Sequence, residues 1–368
     1  MLSAAKAWGG LATRRLARFH STACSTLHTQ LDSSLSRGTR RIQELFDQRQ
    51  VLTLERGIGT HLGKDSKLWG TGSFDVGVYP DLPAIMKWSD FLDFKKLRKT
   101  GKPQEVEKLR SESAAGGEEG VLVRTCGIQL RGHEQLRRRL LLRAGMNEDG
   151  QMAARVRTAD ALLLVSGSHP LRHVLAWSGV LQDSVSALRL AHSLREQGLL
   201  PPQTSLWAVA NPLVDAADSL ERKVSAGAEV ILTQPPLIYS KFESWLYGID
   251  RLGMAGKAKI VVGIPMLTSS RSMQFWLELC SSAGQDSANL ALAPFLRAEQ
   301  HGPAAVQSFV HKYTSELIDR VLQLPGVAGL HIMPVSRQGR DLAYQLAKDG
   351  CLQPRMHGSH TDATASSA

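Results

Sequence analysis

Polar side chains recur directly after short apolar segments in this sequence of 368 residues. They are suited to binding a polar ligand, because the amide of Gln234 can donate and accept hydrogen bonds and the guanidinium of Arg337 can bond a carboxylate. The apolar segments must place these side chains together if they are to act as one site. The polar residues are Thr125, Cys126, the stretch 166–169 with Ser168, Asn211, Thr233, Gln234, Ser336 and Arg337.

A second group of candidate residues lies near the start of a predicted helix. Ser219, Arg222 and Lys223 belong to the amphipathic segment 217–226. The N-terminus of a helix attracts anions, so a helix start that carries two cations is a candidate anion site. An ordinary solvated helix face explains the same two cations equally well. The sequence leaves both interpretations open.

Metal-binding and disulfide chemistry find little support in the sequence. Cys24, Cys126, Cys280 and Cys351 are scattered, with no paired spacing that would indicate a disulfide framework or a zinc site. The histidines near the carboxyl end belong to the tail 353–368, which is rich in Ser, Thr, His and Ala and is predicted to be disordered. We therefore expect no metal site.

The elements that must position the polar residues follow a regular rhythm. Short apolar runs suit parallel strands that are covered on both faces, and their alternation with amphipathic segments indicates βα units. No Gly-x-Gly-x-x-Gly follows a predicted strand, which disfavours an open dinucleotide-binding sheet. Two weaker candidates at 51–54 and 74–79 bring the total to eight or nine strands, which favours a closed (β/α)8 barrel. The seven clearer apolar runs are 121–126, 161–165, 206–210, 229–233, 259–263, 289–294 and 329–333.

This count also fixes the expected domain organisation. We predict one (β/α)8 TIM-barrel domain over residues 31–352, with an irregular amino-terminal part and a flexible surface loop at 113–120. In such a barrel the chemistry lies at the carboxyl ends of the strands, where the polar residues are found.

The first thirty residues resemble a targeting segment rather than part of the fold. Residues 1–30 contain Lys6, Arg14, Arg15 and Arg18 and no acidic residue. A basic, Ser-rich segment without acids is typical of an organelle transit peptide, here mitochondrial, with a chloroplast peptide or a disordered basic arm as alternatives. Its removal would lower the formal net charge from +10 to 10 − 4 = +6.

The remaining basic residues do not indicate a nucleic-acid partner. The one cluster, Arg137 to Arg139 with Arg143, lies on a predicted helix at 134–143 whose leucines mark the buried side. We expect a solvated helix face, because no aromatic residues alternate with the arginines to stack on bases. No apolar run approaches the roughly 20 residues that a membrane span needs.

One block of motifs resembles the methylenetetrahydrofolate reductase family. The segment Lys223-Val224-Ser225-Ala226-Gly227-Ala228 and the later pair Thr233-Gln234 match that family's Lys-Val-x-Ala-Gly-Ala helix and its strand ending in Thr-Gln. Weaker matches occur in the family's order, and together they cover residues 120–352. They are Arg124-Thr125-Cys126, Val262-Gly263-Ile264-Pro265-Met266, Gly326-Val327-Ala328-Gly329-Leu330-His331 and Val335-Ser336-Arg337.

The resemblance implies an activity and roles for individual residues. Members are (β/α)8 barrels that pass a hydride from NAD(P)H through bound FAD to 5,10-methylenetetrahydrofolate, a step of folate one-carbon metabolism that serves methionine biosynthesis. Gln234 would contact the pterin and Arg337 the benzoyl or glutamate part of folate. Glu55 would be the catalytic acid, with an ordinary surface residue as the alternative interpretation of this position. The residues implied for FAD are Ser168, Asn211, Ser219, Arg222 and Lys223.

Several positions depart from the family pattern. Ser168 and Ser166 replace an aspartate and an arginine of one loop, Asn211 replaces a tyrosine beside FAD, and Val123 replaces a histidine. Glu55 lacks the aromatic neighbours of the family's acid. A second interpretation is therefore a flavin-less relative that binds folate or acts as an assembly or scaffold protein. The resemblance also implies association into a homo-oligomer through helix faces.

Overall fold

The structure is a computed structural model that describes residues 42–57, 65–81, 102–116, 120–128, 132–166 and 183–356. Its eight strands are parallel and form a closed barrel in sequence order, so that β8 pairs with β1. This confirms the predicted (β/α)8 TIM barrel. The strands are β1 Val51–Glu55, β2 Val76–Tyr79, β3 Val121–Gly127, β4 Ala161–Val165, β5 Ser205–Ala210, β6 Val230–Thr233, β7 Lys259–Pro265 and β8 Val327–Met333.

Helices surround the barrel, and one short helix precedes it. Within the described residues, no helix is long and apolar enough to cross a membrane. The helices are α1 at 42–48, α2 Ser66–Trp69, α3 Lys102–Gly116, α4 His133–Ala144, α5 Ser184–Glu196, α6 Asp218–Ser225, α7 Tyr239–Arg251, α8 Ser270–Leu279, α9 Asp286–Gln300, α10 Pro303–Leu322 and α11 Arg337–Lys348.

One predicted strand is wrong. The apolar run 289–294 lies inside α9, one of three helices between β7 and β8. Its buried neighbours Ala288 and Phe295 are seven residues apart, which places them on one face of a helix. Leu290 within the run is 75% exposed, whereas a barrel strand would have buried it. Hydrophobic content alone did not distinguish this helix from a short strand.

The inside of the barrel is a packed core. Its side chains are mainly valines and leucines contributed by the strands, and Trp207 fills the space among them with no exposed surface. Helix α1 closes the amino-terminal end by placing Phe46 against Trp207, with 6.2 Å between their ring centroids. Buried apolar side chains therefore fill the barrel beneath its carboxyl end.

The expected solvated arginine face and the expected loop at 113–120 are both partly wrong. Arg143 is fully buried and contacts Glu112 of α3, with 3.3 Å between Nη1 and Oε1. Arg124 reaches the same carboxylate, with 3.1 Å between Nε and Oε2. Ser113 to Gly116 belong to α3, and the Ser113 hydroxyl accepts a bond from Arg124. Arg143 can be buried because its guanidinium also donates to the carbonyl of Thr125 in β3 and to that of Tyr79 at the end of β2.

Candidate active site

At the carboxyl end of the barrel, the structure describes all residues only on the side formed by β5 to β8. The segments that follow β1 to β4 include residues 58–64, 82–101, 129–131 and 167–182, which lie outside the described residues, and Ser168 is among them. The segments after β5 to β8 are described throughout. They carry the predicted site residues Asn211, Gln234 and Arg337.

A row of three hydrogen-bonded side chains connects the barrel core with its carboxyl end. The hydroxyl of Thr53 lies 2.7 Å from Nδ1 of His331. On the other edge of the imidazole, Nε2 lies 3.3 Å from Oε2 of Glu55. Thr53 and His331 are buried, while the Glu55 side chain is 29% exposed. The carboxyl group of Glu55 is therefore hydrogen-bonded to a buried histidine on one side and is partly accessible to solvent on the other.

Strand geometry explains why these three residues meet. Successive side chains of a strand point to opposite faces, so Val51, Thr53 and Glu55 of β1 share the face that lines the barrel. The register of β1 and β8 makes Thr53 the partner of His331. Gly329, two residues before His331, allows this approach because a Cβ atom there would collide with the carbonyl oxygen of Val51.

Glu55 is a candidate acid only through the family resemblance, and neither Thr53 nor His331 has a role predicted from the sequence. His331 occurs only within one of the matched motifs. The signal that it could reach Glu55 was its place on the last strand, which closes against the first strand in a barrel. Arg56, the residue after Glu55, does not enter this row, because its guanidinium forms a buried ion pair with Asp65 at 2.7 Å.

Gln234 lies directly after β6 and is half-buried. Its Oε1 accepts a hydrogen bond from the thiol of Cys280, with 3.6 Å between the two atoms. Among the residues that the structure describes, its amide nitrogen has no hydrogen-bond partner. The amide therefore keeps donor capacity for a ligand.

Arg337 is the first residue of α11 and is exposed. The preceding Ser336 caps this helix, with its side chain accepting a bond from the amide of Gly339 at 2.9 Å. Arg337 and Gln234 both follow strands of the same barrel and so belong to the same end of it. No described hydrogen bond joins their side chains, and their roles stay predictions.

The residues predicted for FAD are placed as follows. Ser219, Arg222 and Lys223 all lie in α6, whose first turn also holds the acids Asp218 and Glu221. Those two carboxylates already complement the positive end of the helix and would repel a diphosphate. This short helix therefore does not provide the anion site that its cations suggested.

Two of these residues are held by neighbours. The ammonium group of Lys223 donates to the carbonyl of Val209 at 2.8 Å and lies 3.6 Å from Asp215. Asn211 donates to the carbonyl of Cys280 at 3.0 Å. As placed, the described residues do not fit an FAD diphosphate. The binding of FAD stays a prediction, to be tested directly.

Fold and site together define a (β/α)8 barrel with a histidine–carboxylate pair at the carboxyl end of its first and last strands. No protein-family model matches the sequence, and no curated protein matches it. Among solved structures, phosphonopyruvate hydrolase in complex with oxalate and Mg++ resembles the chain with a TM-score of 0.38 and 11% identity, over 72% of this chain and 86% of that chain. So distant a likeness carries no argument about function.

Proposed function

We propose that this chain binds a reduced folate at the carboxyl end of its barrel and supplies the proton consumed when 5,10-methylenetetrahydrofolate is reduced by NAD(P)H. The observation that supports the proposal is the row Thr53–His331–Glu55. Glu55 ends the first strand, where the family resemblance expects an acid. It is the carboxylate of this row, and a buried imidazole holds it in place.

A carboxyl group suits the chemistry of this reduction. A proton added to N10 of the folate allows the bond between N10 and the methylene carbon to break, and a hydride added to that carbon completes the methyl group. A general acid must lie within hydrogen-bonding distance of the nitrogen it protonates. The partly exposed carboxyl of Glu55 is accessible to such a nitrogen, and the contact with His331 orients this carboxyl.

Gln234 and Arg337 are the proposed binding groups. Gln234 offers an amide donor at the end of β6, which suits an acceptor on a pterin ring. Arg337 is an exposed guanidinium and suits a carboxylate at the glutamate end of folate, where one side of the ligand would face solvent.

The second candidate is a flavin-less, non-catalytic relative that binds folate. The acids in the first turn of α6 and the contacts that hold Lys223 favour it, because they remove the expected site for a diphosphate. In this alternative Glu55 and His331 would bond the ligand without turnover. The two candidates share the folate site and differ in bound flavin and in hydride transfer.

Turnover and colour separate the two candidates. The purified chain, with and without added FAD, is assayed for oxidation of NADPH and NADH that depends on 5,10-methylenetetrahydrofolate. A yellow protein with turnover supports the reductase. A colourless protein that binds 5-methyltetrahydrofolate without turnover supports the second candidate. Absence of folate binding contradicts both.

Exchange of Glu55 provides the matched comparison. Glu55→Gln removes the acid and keeps the shape of the side chain, and turnover should fall by about 10²-fold, in the range typical of a lost general acid. Glu316→Gln changes an exposed carboxylate of α10 and serves as the control. Equal turnover in wild type and Glu55→Gln would contradict the role of Glu55.

The proposal also includes a location. Residues 1–30 lie outside the described residues, and their composition supports a mitochondrial presequence. Fusion of these residues to a fluorescent protein should direct it to mitochondria, and a version with the four cations changed to Gln should stay in the cytosol. Delivery to chloroplasts, or no delivery at all, would contradict this location.

A further inference from the structure

A groove of about 490 Å3 lies between the neighbouring helices α4 and α5, on the outside of the barrel. On α4 it is lined by His133 and Arg137, four residues apart, and on α5 by a face that runs from Ser186 to the C-cap residue Gln197. Residues three or four apart share one face of a helix, so each helix lends one face to the groove. At 1.5 Å per residue, the α5 face is roughly 16 Å long, or about three turns.

The groove is basic at one end and uncharged at the other. His133, Arg137 and Arg189 lie within the first six residues of their helices, which follow β3 and β4 and so begin at the carboxyl end of the barrel. Ser193 and Gln197 line the opposite end. Among the described residues that line the groove, none is acidic. The groove therefore complements a negatively charged ligand.

The two guanidinium groups are available to such a ligand. Arg189 is exposed and has no hydrogen-bond or ion-pair partner in the part of the chain that the structure describes. Arg137 is held loosely, with Nη2 3.3 Å from the carbonyl oxygen of Glu148 and Nη1 3.7 Å from a carboxylate oxygen of Glu134. Exposed ion pairs of this kind contribute little, so both guanidiniums can bond the carboxylates of another molecule.

The helix termini do not account for the basic character of the groove. The carboxylate of Asp183 caps α5 by accepting a bond from the amide of Ser186 at 2.7 Å. On α4, Glu134 in the first turn complements the positive end of the helix. The positive charge is therefore that of the side chains of Arg137 and Arg189.

The lining of the groove favours a polar, elongated ligand. Leu190 and Leu194 are its apolar residues, and both are buried, so they offer little surface to an apolar helix face. No aromatic side chain occurs in the described lining, so the bases of a single-stranded nucleic acid would find no stacking platform. A flat bilayer surface would touch only the rims, whereas a third helix fits between two others.

We propose that this groove binds an acidic helical segment of another protein. Carboxylates on one face of the segment pair with the guanidiniums of Arg137 and Arg189, and its uncharged end lies along Ser193 and Gln197. The lining residues belong to two outer helices and not to the strand ends where folate is proposed to bind. This inference therefore goes beyond the proposed function and does not depend on it.

Fluorescence anisotropy of labelled peptides with the full chain tests the proposal. The probe is an alanine-rich peptide of about 18 residues, long enough to form a helix in water, with glutamates four residues apart. A second peptide carries glutamine in place of each glutamate. We expect the full chain to bind the glutamate peptide, to bind it more weakly when the salt is raised from about 50 to about 300 mM, and to ignore the glutamine peptide.

Variants locate the binding site. The double variant Arg137→Gln with Arg189→Gln should lose about tenfold or more in affinity, because two charge-assisted bonds are lost. The control, Arg271→Gln with Arg297→Gln, removes the same charge from exposed arginines of α8 and α9 and should bind as the wild type does. Arg189→Glu, a single change at an exposed side chain, should weaken binding more than Arg189→Gln does, because it places a repelling charge in the groove.

Four results would overturn the proposal. They are no binding of the glutamate peptide, equal binding of the glutamine peptide, an equal loss in the control variant, and binding to vesicles of phosphatidylcholine and phosphatidylserine that depends on Arg137 and Arg189 while the peptide is ignored. None of these measurements uses folate, so their outcome is separate from that of the folate titrations.

Discussion

The side-chain oxygen of Gln234 accepts a hydrogen bond from the thiol of Cys280, at 3.6 Å between Oε1 and Sγ. Burial raises the pKa of Cys280 to about 12, so the thiol keeps its proton at neutral pH and remains a donor. This bond orients the amide of Gln234 with its oxygen towards Cys280, and its nitrogen has no partner among the described residues. This contact connects the segment after β6 with the end of helix α8.

Removal of the Gln234 amide should weaken folate binding. Gln234→Ala should cost about 1–3 kcal/mol of binding free energy, the usual cost of leaving a buried polar group of the ligand unpaired. Calorimetric titration with 5-methyltetrahydrofolate measures the change. Gln274→Ala, at an exposed glutamine of α8, is the control. Unchanged affinity in Gln234→Ala would refute the pterin contact.

Arg337 should discriminate between folates according to their charge. Arg337→Ala should weaken a polyglutamylated folate by about tenfold, consistent with the loss of one charge-assisted bond, and should leave a simple pterin almost unaffected. Arg297→Ala, an exposed arginine of α9, tests for general charge effects. An equal loss for both ligands would show that Arg337 does not bind the glutamate part.

The Arg143–Glu112 pair should be important for stability. Arg143→Met removes one partner of a buried ion pair and leaves the carbonyls of Thr125 and Tyr79 without this donor. Arg124 still pairs with Glu112 in this variant, so we expect a loss of about 1.5–3 kcal/mol in the free energy of unfolding, as for lost bonds to a charged donor, measured by urea denaturation. Arg138→Met, at a side chain that is 52% exposed, should change it by less than about 0.5 kcal/mol. Similar losses in both variants would contradict the structural role of Arg143.

The fold could be predicted from the sequence further than the site could. Strands covered on both faces appear as continuous apolar runs, and β4 was predicted with its observed bounds. The run 289–294 was misread because a short apolar stretch of a helix has the same composition. Polar residues after predicted strands placed Gln234 and Arg337 at one end of the barrel.

The contacts between distant elements could not be predicted. Thr53 and His331 are separated by 278 residues, and their pairing depends on the register with which the last strand closes on the first. Likewise, nothing near Arg143 in the sequence shows that Glu112 of another helix lies opposite it. Side-chain chemistry is visible in a sequence, but the partner that gives it a role is visible only in the fold.

Asp81 should make the protein sensitive to acid. Its carboxylate accepts a bond from the amide of Gly127 at 2.8 Å and pairs with Arg139. Burial alone would raise the pKa of Asp81, but Arg143, Arg139 and the Gly127 amide outweigh it and hold the pKa below 3.8. Because the pKa is lowered in the folded state, its stabilising contribution is present above pH 3.8 and is lost as the pH falls through the folded value.

The variant Asp81→Asn tests this dependence. At pH 7 it should lower the free energy of unfolding by about 1.5–3 kcal/mol, as for a lost bond to a charged group. The difference from wild type should narrow as the pH falls below 3.8. Denaturation curves at several pH values measure it. A difference that stays constant down to the acid limit would exclude Asp81 as a source of acid sensitivity.

Titration of the full chain with 5-methyltetrahydrofolate, in wild type and Glu55→Gln, tests the central proposal most directly. A folate seated against the row Thr53–His331–Glu55 should bind the wild type at one site, and its affinity should change by about tenfold in Glu55→Gln, as when one hydrogen bond at the ligand is altered. Glu316→Gln should match the wild type. No binding to the wild type, or the same affinity in wild type and Glu55→Gln, would contradict the proposal.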